Sequence, residues 1–265
     1  MSGAILHHRA VGDTGAKWLY ILHGIYGAGR NWATFARGLV DERDDWGAVL
    51  VDLRLHGESQ GFSPPHTLAA CVHDLAELVQ ATDRPATAVL GHSFGGKIAL
   101  MAPPVLGPRQ VWVIDSTPSR RTPGGSANRM LGILRRHPGP FETREDAVEA
   151  LQGEGLAAHV ARWMATNLVS DEDSYRWRFD LDGLAALLDD FFRRDLWDVI
   201  EDPPGETEIH LVRASESDVM SRAELRRIES LGTERPVLGH EVQGGHWLHI
   251  DNPGDLRDLL CRRLP

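Results

Sequence analysis

Gly91-His92-Ser93-Phe94-Gly95 follows the apolar run Ala86–Leu90 and precedes a helical stretch. Glycines on both sides let the chain turn sharply, so the Ser93 hydroxyl projects at the head of a helix, where a serine can act as a nucleophile. The amide of Phe94 then points to where an oxyanion would form, and the helix N-terminus adds positive potential. Such a short pattern also arises by chance as an ordinary glycine-rich strand–helix turn. Its position between a buried strand and a helix gives it weight.

A second loop, His23-Gly24-Ile25-Tyr26-Gly27, follows the run Trp18–Leu22. Glycines at 24, 27 and 29 permit close backbone approach, and the Ile25 amide is the expected second oxyanion donor. His23 is read as ordering this loop, because a general base must sit opposite Ser93. The base expected is His246, in Gly244-Gly245-His246-Trp247 after the last apolar run. His249 competes but falls in the following turn. His7, His8, His137 and His240 read as surface or structural. The acid that would hold the imidazole tautomer must end a neighbouring strand. Asp115, after Val111–Ile114, and Asp218, after Ile209–Val212, both qualify from the residues alone.

These side chains need a scaffold, and the chain supplies one. Short apolar runs (Trp18–Leu22, Ala48–Leu53, Ala86–Leu90, Val111–Ile114, Ile209–Val212 and Val237–Val242) read as buried parallel strands. Amphipathic stretches between them (Asn31–Glu42, Leu68–Ala81, Gly95–Ala102, Arg222–Leu231 and Gly254–Arg263) read as helices. The predicted class is α/β, a mostly parallel sheet flanked by helices. The alternation breaks between about Ser116 and Pro204, a stretch with helical patterning and no convincing strand. It is expected to be a helical cap, 117–204, inserted into a core formed by 1–116 and 205–265. Trp163, Trp177, Phe179, Phe191, Phe192 and Trp197 should mostly pack between cap and core.

Composition narrows the function classes. With 265 residues and 42% hydrophobic content the chain can bury one sizeable α/β core. The net charge of −10 and the lack of a Lys/Arg run argue against a nucleic-acid partner, which needs a concentrated basic face. Cys71 and Cys261 lie far apart and read as free thiols. The N-terminal stretch Met1–Arg9 has no signal-like apolar core, and no run reaches the roughly 18 to 20 apolar residues of a membrane span. A cytoplasmic location is the expectation.

The motifs together resemble the α/β-hydrolase superfamily. The likeness is greatest to the YbfF-like bacterial esterases and their mitochondrial abhydrolase-domain relatives. It rests on His23-Gly24 with Asn31-Trp32, Asp52-Leu53-Arg54 with His56-Gly57-Glu58-Ser59, and Gly91-His92-Ser93-Phe94-Gly95-Gly96-Lys97. Ile114-Asp115-Ser116-Thr117-Pro118, Trp177-Arg178-Phe179 and Gly245-His246-Trp247-Leu248-His249 extend it. The resemblance implies an α/β-hydrolase fold and hydrolysis of a small-molecule carboxylic ester, with acyl thioesters a further class, and no metal or organic cofactor. It also implies Asp115 as the acid. The segment after the seventh strand departs from the branch, where Gly-Gly-Asn-Ser is usual; Ala214-Ser215-Glu216-Ser217 precedes an extra acid, so Asp218 stays open. Pro103-Pro104 should stop the helix after Ser93 early. Arg54 and Lys97 match family positions and either meet an anionic substrate or pair with carboxylates such as Asp52 or Asp74. The alternatives are other serine-dependent chemistry on the same scaffold (C–C hydrolysis, lyase or acyltransferase reactions) and a non-catalytic ligand receptor. Haloalkane dehalogenase and epoxide hydrolase relatives carry Asp at the elbow.

Overall fold

A computed structural model describes residues 4–12, 17–231 and 235–265; Met1 to Gly3 of the N-terminal stretch lie outside them. The elements run β1 (His8–Val11), β2 (Lys17–Leu22), a 3-10 turn (Gly29–Trp32), α1 (Ala33–Glu42), β3 (Trp46–Val51), α2 (Leu68–Thr82) and β4 (Ala86–His92). Next come α3 (Phe94–Met101), α4 (Pro103–Leu106), β5 (Gln110–Ile114), α5 (Gly125–Arg136), α6 (Arg144–Gly153), α7 (Ala158–Ala165), β6 (Leu168–Asp171) and β7 (Ser174–Trp177). The chain closes with α8 (Leu181–Arg193), α9 (Trp197–Glu201), β8 (Glu208–Ala214), α10 (Arg222–Ser230), β9 (Val237–Val242), α11 (Leu248–Asp251) and α12 (Pro253–Arg263).

Seven strands form one sheet in the order β1-β3-β2-β4-β5-β8-β9. All neighbours are parallel except β1 against β3. Side chains alternate between the two faces, as the two-residue period of a strand requires. Tyr20, Leu22, Val89 and Val113 face a core shared with α2, α3 and the segment after β5. Leu19, Ile21, Leu90, Trp112 and Ile114 face a second core under α1 and α12. Leu75, Leu78 and Ile98 are fully buried in the first, each contributing about 2 kcal/mol relative to exposure. Helix ends follow local capping rules: Thr67 accepts from the Ala70 amide at the start of α2, and Asn252 from the Asp255 amide at the start of α12. Pro103 lies one residue past Ala102, where α3 gives way to a single further turn, α4.

Register sets the site. Leu22 lies opposite Gly91, His92 opposite Ile114, Ile114 opposite Val212 and Ala214 opposite Val242. The C-terminal ends of β2, β4, β5, β8 and β9 therefore lie along one edge, where open α/β sheets bind ligands. Between neighbours β5 and β8 the chain makes a long insertion containing α5 to α9. The expectation of no strand there is corrected: β6 and β7 form a two-stranded antiparallel hairpin. Its β-branched and aromatic residues (Val169, Tyr175, Trp177) pair across the turn at Glu172, whose φ is 52°. Strands of four residues leave too short an alternation to stand out among helical stretches. Among the described residues no helix is long and apolar enough to cross a membrane.

Candidate active site

Ser93 leaves β4 with φ 52° and ψ −114°, a strained backbone for a residue with a side chain. The strain is held from both sides. The Ser93 amide donates to the Ile114 carbonyl at 3.0 Å, and the Gly96 amide donates to the Ser93 carbonyl at 2.9 Å. The flanking glycines are required by close approach. A Cβ on Gly91 would lie 2.0 Å from the Gly95 carbonyl oxygen, and one on Gly95 would lie 2.6 Å from that of Leu22. Ser93 is itself half-buried at the head of α3, with Phe94 fully packed behind it.

The loop after β2 lies against this elbow. A Cβ on Gly24 would stand 3.3 Å from Cβ of Ser93 and 3.1 Å from Nδ1 of His92. His23 is buried beneath the loop. Its Nε2 accepts from the Leu53 amide at 3.0 Å, so the proton sits on Nδ1 and is donated to the Gly24 carbonyl at 2.7 Å. Burial lowers its pKa, which keeps the ring neutral in this role.

Nδ1 of His246 lies 2.7 Å from Oδ2 of Asp115, whose side chain is fully buried. Oδ1 of the same carboxylate accepts from the Ala214 amide at 3.1 Å, and Oδ2 also accepts from the Ser217 hydroxyl at 2.5 Å. Asp218 is exposed beside Ser217 and makes no hydrogen bond to His246. The imidazole of His246 is one-third exposed, open to solvent on one side. His92 ties the serine elbow to the histidine loop, while among the described residues no hydrogen bond joins Ser93 to His246. Nε2 of His92, the residue before the serine, donates to the His246 carbonyl at 2.8 Å, and the two rings lie 4.7 Å apart.

The other histidines nearby stay uncharged. Burial first, then the neighbouring His246 and His249, hold His92 well below the usual range. Burial and His246 push His249 down to about 4, and its ring stacks on Trp32 at 4.1 Å. Burial pushes His56 down to about 3. An imidazolium on His246 thus faces a carboxylate on one side and neutral rings on the other.

The two cations read from the sequence are engaged within the protein. Arg54 holds Asp74 through Nε at 2.6 Å and Nη2 at 2.8 Å, and reaches the Pro65 carbonyl through Nη1 at 2.8 Å. Among the described residues Lys97 pairs with no carboxylate. It is fully buried and donates to the carbonyls of Ser119, Phe191 and Arg194 at 2.9, 2.9 and 2.6 Å, tying α3 to the insertion. Burial lowers its pKa to about 8. Trp247, beside His246, packs against Trp163 of α7 at 5.6 Å, and Phe191 against Phe94 at 5.7 Å. Cys71 and Cys261 are both free.

Sequence reasoning passed over two residues here. Ser217 stands beside the more conspicuous Asp218, yet its hydroxyl, three residues past the strand end at Ala214, reaches the buried acid. His92 fills the variable position of the serine motif, and nothing local signals its contact with the His246 carbonyl.

The sequence profile of the alpha/beta hydrolase family matches residues 19–259. The sn-1-specific diacylglycerol lipase ABHD11 of Mus musculus is 27% identical over 260 residues, covering 94% of this chain and 81% of that protein. Protein phosphatase methylesterase 1 of Homo sapiens is 30% identical over 141 residues, 49% of this chain and 35% of that protein. Among solved structures, a marine microorganism esterase superposes with a TM-score of 0.84 at 22% identity, covering 98% of this chain and 99% of its own. E-2-(acetamidomethylene)succinate hydrolase superposes with a TM-score of 0.76 at 22% identity, over 97% and 94% of the two chains. At such identities the structural likeness establishes the fold.

Proposed function

Because the chain belongs to the alpha/beta hydrolase family, we propose that it is a serine hydrolase that cleaves carboxylic esters through a covalent acyl-enzyme. Ser93 is the nucleophile, His246 the general base and Asp115 the acid that orients it. The observation that carries this reading is the 2.7 Å contact between Nδ1 of His246 and the buried Asp115 carboxylate, on the same strand edge as the strained Ser93. With Nδ1 held as the donor, Nε2 is free to take the Ser93 proton. The Ser93–His246 hydrogen bond forms as substrate binds, since catalytic contacts are often long in the free enzyme.

Ser93 attacks the ester carbonyl, and the developing oxyanion is held by the amides of Ile25 and Phe94. His246 then protonates the leaving alcohol. Water, activated by the same imidazole, releases the acid. The insertion, 117–204, acts as a cap, seated beside the site through Phe191 on Phe94 and Trp163 on Trp247. An uncharged acyl chain fits better than a polyanionic substrate, because both Arg54 and Lys97 are occupied by internal partners. The relatives named as a diacylglycerol lipase and a methylesterase support ester cleavage.

Turnover of p-nitrophenyl acetate, an sn-1 acylglycerol and an acyl thioester, with fluorophosphonate labelling, tests the proposal. Wild type should be labelled and should hydrolyse an ester, and Ser93→Ala should do neither. Undiminished turnover by Ser93→Ala would rule it out. Labelling without ester turnover would move the assignment to another serine-dependent reaction on this scaffold.

A further inference from the structure

We propose that Tyr26 and Asn167 are positioning residues that make the oxyanion donor at Ile25 depend on how the insertion is seated. The inference rests on the serine-hydrolase reading above and concerns how that site is kept in order.

Gly24 to Gly27 form a tight turn, closed by the Gly27 amide donating to the Gly24 carbonyl at 3.0 Å. Tyr26 occupies its third position with φ 64°, while Ile25 has ordinary negative φ. A turn of that kind favours glycine or asparagine at the third position, because a Cβ is strained there. A tyrosine in the left-handed region is strained, and persists only where the surroundings over-determine it.

The contacts that over-determine it come from the insertion. Nδ2 of Asn167 donates to the Tyr26 carbonyl at 3.0 Å. The Tyr26 hydroxyl donates to the Ala127 carbonyl in α5 at 2.8 Å, and its ring meets Phe179 edge-on at 5.8 Å. Asn167 is fixed in turn: its amide donates to the Met164 carbonyl at 2.9 Å, its carbonyl accepts from the Arg178 amide at 3.0 Å, and it is 2% exposed. Just beyond the turn, Arg30 reaches the Thr166 carbonyl at 3.0 Å. From the core side, among the described residues, the turn has one polar clamp, His23 on the Gly24 carbonyl. The turn thus sits between a rigid core contact and a set of insertion contacts one residue from the Ile25 amide. When the insertion lifts, Tyr26 loses its partners and relaxes toward negative φ, and the Ile25 amide leaves the oxyanion position. The site is competent only with the insertion closed.

Asn167→Ala and Tyr26→Phe test this on the intact chain. Each should lower kcat by about 10- to 100-fold, less than the 10²–10³ of an oxyanion donor removed outright, with KM within about two-fold. Affinity for a trifluoromethyl ketone, which forms a tetrahedral oxyanion adduct, should fall in step with kcat. Binding of the matching unreactive amide should not change. Tyr26→Phe removes a single oxygen, so it serves if Asn167→Ala does not fold. A lowered melting temperature with kcat unchanged in either folded variant would overturn the inference. So would equal losses in ketone and amide binding. If wild type neither hydrolyses an ester nor takes fluorophosphonate, the parent reading fails and this inference falls with it.

Discussion

Asparagine at position 115 keeps the shape of the aspartate and removes its charge, and the surrounding donors dictate which way the new amide points. The Ala214 amide donates to Oδ1 at 3.1 Å, so the asparagine oxygen must stay there, since two N–H groups would otherwise face each other. The new NH2 group then stands where Oδ2 was, against Nδ1 of His246 and the Ser217 hydroxyl, now 2.7 and 2.5 Å away. Ser217 adapts by rotating its hydroxyl to accept. His246 cannot keep a proton on Nδ1 opposite a donor, so it adopts the tautomer protonated on Nε2. That nitrogen can no longer take the Ser93 proton. The expected loss in kcat is about 10⁴-fold, or about 5.4 kcal/mol in the barrier. The assay is acyl-enzyme formation under single-turnover conditions, with a melting curve to show the variant folds. Asp218→Asn, on an exposed side chain, should leave kcat within about two-fold. A folded Asp115→Asn retaining more than a tenth of wild-type kcat would refute the tautomer argument, as would a comparable loss in Asp218→Asn.

Asp74→Leu strands the buried Arg54 guanidinium and should cost about 3–5 kcal/mol in urea unfolding, most of it recovered in Arg54→Met/Asp74→Leu; a double variant as unstable as the single would exclude the lost pair as cause. His249 is neutral in the folded protein, with its pKa at about 4, whereas an unfolded histidine protonates near 6.5. The unfolded state therefore binds the extra proton between those values, and stability rises with pH across that window. From pH 7 to pH 5 this residue should cost about 2 kcal/mol, and His249→Phe, which keeps a ring against Trp32, should flatten the stability–pH curve by that amount. Parallel curves for the two proteins would contradict it. Gly95→Ala puts a Cβ 2.6 Å and 2.7 Å from the carbonyl oxygens of Leu22 and His23; because neither is a flexible side-chain end, thermal denaturation should report a loss of about 3 kcal/mol or more.

What could be read in the sequence was what local physics determines. The change from a buried apolar run to a glycine-flanked serine and then a helix is contained in residues 86–102, and the sheet-and-helix alternation is equally local. Which of Asp115 and Asp218 reaches His246 is not set locally. It depends on Ile114 lying opposite Val212, a pairing across the whole insertion, which turns the strand end so that Ser217 faces the buried carboxylate and its neighbour Asp218 faces solvent. The short strands escaped for a related reason: β1 and the β6–β7 hairpin carry too few residues to show a period. Asn167 had no local signal at all, since its importance comes from the carbonyl of Tyr26, distant in sequence and adjacent in space.

The insertion also has a chain-entropy side. Since β5 and β8 are neighbours in the sheet, everything between them is, to the scaffold, one closed loop. Closure cost grows only with the logarithm of length. Stretching a crossover of roughly a dozen residues to roughly ninety is about three doublings, or ~2 kcal/mol before the insertion's own packing offsets it. No strand changes partner when that loop changes length or content. The scaffold can therefore accept a different excursion between Ile114 and Glu208 at small cost and present a different set of walls to the same strand edge. A replacement has two conditions to meet beyond its own folding: it must offer acceptors to the buried Lys97 ammonium, and it must bring a donor to the Tyr26 carbonyl, or the loop beside Ser93 is left to find its own shape.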